Sequence, residues 1–243
     1  MPDPIPTPTP TPTPTPPPAK PKQTRGDLDQ KTLADLKLAE DVAAAAKDAD
    51  HAAKLADEGL PATAAAGLLT LAGAARELAG KVVTAKQAKL SATQAEQDAL
   101  DALLVLLRDF QQRAKRLFPT GDPKRAAYGI NKDNFGRDRE GLEQDADTII
   151  KLATADALPG LKPEKLAAAT AALAACKQAD QDQQKAEENQ GKLLGQLDAK
   201  MAEVNAQRRD IQLTADTAWP HTGDTSAPLR RACKLPVNQP IAK

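Results

Sequence analysis

Residues that commonly carry chemistry are scarce in this chain of 243 residues. His51 and His221 are the only histidines, and Cys176 and Cys233 the only cysteines. Two cysteines far apart, with no CxxC pair, make neither a zinc site nor a disulfide framework. No Glu-x-x-His pair occurs, which excludes the di-iron centres that helical bundles can host. Walker A, GxGxxG and GxSxG patterns are absent, so no phosphate-cradling loop or nucleophile elbow is legible. Asp and Glu are plentiful, but on long helices such runs are solvated faces. The sequence implies no catalytic residue, no cofactor and no metal, and a non-enzymatic protein is expected.

What remains is cationic and aromatic. From Leu106 to Glu140 nine Lys/Arg stand against five Asp/Glu, and from Asn205 to Lys243 six stand against three, in a chain of zero formal charge. All five aromatic residues, Phe110, Phe118, Tyr128, Phe135 and Trp219, fall in these stretches. Arg113, Lys115, Arg116, Phe118, Lys124, Arg125, Tyr128, Trp219, Arg230 and Arg231 therefore form one candidate interaction end, suited to an acidic protein partner or a polyanion. The competing reading is that cations near helix C-termini offset the helix dipole. RNP, KH and zinc-finger patterns are absent, so no specific nucleic-acid module is implied. Cys176 lies on an apolar stripe and reads as core, whereas Cys233 reads as an exposed thiol through which an oxidised dimer would form. His51-Ala52-Ala53-Lys54 resembles the histidine phosphotransfer motif but lacks its Leu-Lys-Gly, so His51 reads as a surface histidine.

Helices must position these groups. Aromatic residues are 2% of the chain. From Ala62 to Phe118 apolar residues recur every three or four positions, from Leu68 and Leu71 through to Phe110 and Ala114. That is a coiled-coil seam, on a helix roughly 85 Å long. A first helix is expected over 27–58, ended by Gly59 and Pro61. A third is expected over 137–157, and a fourth from Pro163, a favourable first position, to Trp219. The run from Gln178 to Lys192 is almost wholly polar, so the bundle should be weak or splayed there. Thr and Pro alternate from Thr7 to Pro16, and residues 1–24 read as an extended spacer arm, a ligand for an aromatic groove or a modification site. No signal peptide and no run of 18 apolar residues is present, so a cytoplasmic protein without a transmembrane helix is expected.

An internal repeat organises these helices. Asp48-Ala49-Asp50, Lys54-Leu55-Ala56 and Leu60-Pro61 are answered by Asp145-Ala146-Asp147, Lys151-Leu152-Ala153 and Leu158-Pro159. Phe118-Pro119 is answered by Trp219-Pro220, and Lys124-Arg125-Ala126 by Arg230-Arg231-Ala232. Two hairpins, 25–130 and 131–235, are expected to form an all-α, elongated antiparallel four-helix bundle over 25–225. An irregular tail would follow over 226–243. Up-down-up-down topology would bring both long helices to finish at the same end. The leading expectation is a structural, spacer or scaffold protein that engages a protein partner or forms homo-oligomers. The alternatives are an amphipathic bundle that opens on lipid surfaces and a phosphotransfer or sensor module.

Overall fold

A computed structural model describes residues 30–130, 135, 139–221 and 226–237. The Thr-Pro arm lies outside the described residues. Every regular element described is helical: α1 (Gln30–Lys47), α2 (Ala49–Asp57), α3 (Ala64–Leu117), α4 (Pro123–Ala127), α5 (Arg139–Ala155), α6 (Pro163–Ala218) and α7 (Ala227–Ala232). The expected first helix is broken at Asp48. Its carboxylate accepts the Asp50 amide at 3.0 Å and starts a second helix there, as N-cap aspartates do. The polar stretch of α6 does not interrupt it, and Gly191 and Gly195 lie within the helix.

Gly59 ends α2 in the left-handed region at φ 92°. Its amide bonds the Ala56 carbonyl and the Leu60 amide reaches back to Leu55. Leu55 and Leu60 are both buried, so the C-terminal hydrogen bonds and their hydrophobic contact form together.

The long helices α3 and α6 pair antiparallel along their length. Gln207 Nε2 donates to the Ala64 carbonyl at 2.9 Å near one end, Lys89 meets Glu187 at 2.6 Å in the middle, and Lys165 meets Asp109 at 2.8 Å near the other. Two separate cores form on this pair. The first joins α1, α2, the start of α3, the end of α6, Trp219 and Cys233. The second joins the end of α3, Tyr128, Ile130, α5 and the start of α6. The short helices α1 and α2 complete one core and α5 the other, so each copy of the repeat supplies one core with its short-helix layer. The side-by-side four-helix bundle is thus corrected: the short helices α1 and α5 belong to different cores rather than one. The physical reason lies in the heptads. Leu68, Ala75, Val82, Leu103 and Phe110 share one heptad phase of α3 and are buried, but the two positions between them are Lys89 and Glu96. On α6 the matching phase runs Ala169, Cys176, Leu197, Val204, Ile211 and Ala218, interrupted by Gln183 and Gln190. That polar seam gives a third helix little apolar surface to cover there.

Antiparallel pairing also means that α3 and α6 finish at opposite ends. The expectation that all five aromatics share one end is overturned. Phe110, Phe118, Tyr128 and Phe135 belong to the second core and Trp219 to the first.

Candidate interaction surfaces at the two ends

The ten expected site residues divide in the same way. Arg113, Lys115, Arg116, Phe118, Lys124, Arg125 and Tyr128 sit around the second core; Trp219, Arg230 and Arg231 sit around the first. They do not form one site, and most are occupied by their own chain.

The end of α3 shows why. Phe118 N–H closes the helix on the Ala114 carbonyl at 2.9 Å. Pro119 and the Gly121 turn, at φ 96°, fold the chain back into α4, whose N-cap Asp122 accepts the Lys124 amide at 2.8 Å. This places Arg125 under the open end of α3. Its Nε donates to the Phe118 carbonyl at 3.0 Å, Nη2 to Lys115 O at 3.0 Å, and Nη1 to Thr120 Oγ1 at 3.2 Å. Carbonyls left without intrahelical partners at a C-terminus need such donors, and a guanidinium supplies several from one plane.

The end of α6 repeats the device. Trp219 N–H bonds Ala215 O at 3.0 Å, and Arg230 Nη1 donates to the Trp219 carbonyl at 2.5 Å. Arg230 also reaches Pro236 O at 3.0 Å and pairs with Asp216 at 2.6 Å. It is 1% exposed, so it is not available to a partner. Gln111 donates to Tyr128 O at 2.9 Å, and Gln212 donates to Cys233 O at 3.0 Å. The structure therefore equates Arg125 with Arg230 and Tyr128 with Cys233, one residue out of the register read from the sequence. The glutamines were missed as site residues, although they lie at the spacing of the Phe118/Trp219 repeat.

Other cations are bound by acids that the sequence did not single out. Arg113 bonds Asp109 at 3.0 Å and the Pro159 carbonyl at 2.8 Å. Burial alone would raise Asp109, but hydrogen bonds from Lys165 and Arg113 outweigh it and hold the carboxyl below its ordinary value. Lys124 pairs with Asp156 at 2.5 Å and lies over the Phe118 ring, 5.0 Å from its centroid. Tyr128 is fully buried and donates to Asp156 at 3.1 Å. Burial, reinforced by the Asp156 charge, pushes its phenol well above the ordinary range. At the other end His51 Nδ1 bonds the Ala45 carbonyl at 2.7 Å and the ring meets Trp219 edge-on at 5.4 Å. His51 is thus built into the packing around Trp219 rather than standing as a plain surface histidine.

Cys233 is corrected too. It is fully buried in the first core, and burial raises its thiol. Cys176 is buried in the second core, and the two cysteines form no disulfide. The tail expected to be irregular carries α7, with Leu229 and Leu235 packed on the first core.

Lys115, Arg116 and Arg231 remain exposed. Lys115 and Arg116 adjoin Leu117, which is 40% exposed, so the α3 terminus presents a small basic patch with one apolar residue. Among the described residues no group of three or more His, Cys, Asp or Glu could hold a metal ion, and no helix is long and apolar enough to cross a membrane. No protein-family model, curated protein or solved structure matches the chain.

Proposed function

We propose that this chain is a non-enzymatic spacer or scaffold that holds two similarly built ends apart on a helical rod. The carrying observation is the use made of its polar groups. Arg125, Arg230, Tyr128, His51 and the acids beside them terminate helices or join elements of the same chain. What varies between the ends is their outer surface. Where α3 presents Lys115, Arg116 and Leu117, the corresponding positions of α6 are Asp216, which pairs with Arg230; Thr217; and Ala218, which is buried. A spacer with a basic patch at one end would bind an acidic protein or another polyanion there.

The test is a pull-down with immobilised full-length chain, comparing wild type with Lys115→Glu/Arg116→Glu and with Arg231→Glu. An acidic partner should be lost from the first variant, retained by the second, and weakened by salt. Equal retention by all three would remove the basic patch from the proposal. Turnover of a substrate dependent on a named side chain would remove the spacer reading altogether.

A further inference from the structure

The middle of the rod differs from both ends. No described residue between Ala85 and Leu103 of α3, or between Cys176 and Leu197 of α6, is buried. Along this stretch the two helices meet through half-buried Lys89, Ala92, Glu96 and Ala99 on one side and Ala179, Gln183, Ala186 and Gln190 on the other. Leu90 and Leu194 stand 53% and 39% exposed. A groove of about 340 Å³ between the helices, lined by Gly80, Lys81, Thr84, Ala85, Ala88, Asn189 and Leu193, adjoins it.

The charge around this stretch of the rod is sorted by position along its axis. Between residues 81 and 91, α3 carries Lys81, Lys86 and Lys89 and no acid. Between 92 and 102 it carries Glu96, Asp98 and Asp101 and no base. The facing stretches of α6 do not cancel the pattern. Residues 184–194 hold two lysines and two glutamates, and residues 172–183 hold Asp180 and Asp182 against Lys177. One half of the middle thus has an excess of three positive charges and the other an excess of four negative charges.

We infer that this middle surface docks a second copy of the same chain, antiparallel, about a two-fold axis near Ala92. Such an axis lays the positive half of each copy on the negative half of the other. It satisfies both halves at once, as a self-complementary isologous interface requires. A partner of uniform charge would be repelled by one half. The area is sufficient. Twenty-two residues of two paired helices make a face about 33 Å by about 20 Å. Two such faces bury roughly 1,300 Å², within the range of stable interfaces. The pairing would place four helices around the polar heptads and supply the layer that each rod lacks. It is independent of what the rod's ends bind.

The experiment is sedimentation equilibrium of the full chain at low and high salt, with two charge-reversal variants. Lys81→Glu/Lys86→Glu makes the whole middle negative, and Asp98→Lys/Asp101→Lys shifts it to positive. Wild type should form a dimer that weakens with salt. Each variant alone should self-associate at least about tenfold more weakly, because the first sets negative on negative and the second neutralises the half that the positive charges must meet. An equimolar mixture of the two should recover the dimer. Circular dichroism is recorded on every sample, so that a variant that fails to fold is recognised, and recovery in the mixture needs both to be folded. A wild type that stays monomeric at all concentrations would overturn the inference. So would a dimer that persists in each variant alone, which would be paired through its ends, or a mixture that stays monomeric.

Discussion

At the scale of single residues, the two repeat copies act as an internal comparison. Arg125 and Arg230 do the same work at the ends of α3 and α6, but they differ in burial. Arg125 is partly exposed, so water can take over the carbonyls it serves. Arg230 is 1% exposed, and its loss would leave the Trp219 and Pro236 carbonyls and the Asp216 carboxylate without their donor. Arg230→Ala should therefore destabilise by about 3 kcal/mol, and Arg125→Ala by about 1 kcal/mol. Urea denaturation of both variants measures the difference, and equal costs would show that Arg230 is solvated. A second comparison involves Gly59 and Ala157, each lying just before the Leu-Pro pair that follows its short helix. Both are left-handed, at φ 92° and 46°. An L residue pays roughly 1 kcal/mol for that region and glycine does not. Ala157→Gly should stabilise the chain by up to about 1 kcal/mol, read as a rise in the urea midpoint. A lowered midpoint would mean that the alanine methyl has a packing role.

At the scale of elements, the seam that made α3 and α6 legible also governs their stability. Their lengths, their proline starts and stops, and the repeat could be read because each rests on local rules of backbone and periodicity. The break at Asp48 was hidden, because the apolar pattern continues across it and only the capping carboxylate reports it. The short helices α4 and α7 were hidden because each is held by a carbonyl-capping arginine and not by an apolar stripe. The pairing of the long helices could not be read either, since identical seams fit parallel and antiparallel partners alike. The cation-rich candidate site was assembled from that wrong polarity, and therefore divided into two ends. The polar middle, in contrast, was visible and carries an energetic consequence. Burying Leu or Val at Lys89, Glu96, Gln183 and Gln190 would contribute about 1.5–3 kcal/mol each, and that contribution is missing. Amide exchange should accordingly be faster over 86–102 and 177–196 than over 64–85 or 197–218, despite continuous helix. Hydrogen exchange by mass spectrometry resolves these segments. Uniform protection along α6 in a chain verified to be monomeric would show that the middle is as well held as its ends.

At the scale of the whole molecule, two cores sit on one antiparallel pair of helices, with a polar stretch between them. The two helix C-termini and the arginines that cap them are consequently kept apart by the length of the rod. With 54 residues in α3, that length is about 80 Å at 1.5 Å per residue. This separation distinguishes the fold from any arrangement in which α3 and α6 run parallel, because those would bring Leu117 and Thr217 side by side. Both positions are exposed and neither side chain belongs to a core, so labels there should leave the packing intact. The native cysteines at 176 and 233 are buried and would be replaced by alanine in the labelling background. Paired spin labels at Leu117→Cys and Thr217→Cys should lie beyond about 70 Å within one chain, at the far limit of pulsed dipolar measurement. A control pair at Leu117→Cys and Lys162→Cys, at the adjoining start of α6, should fall within about 30 Å. A short distance for the first pair would mean that the long helices run parallel, and with that the two-ended rod, its separated cores and its sorted middle would all be lost together.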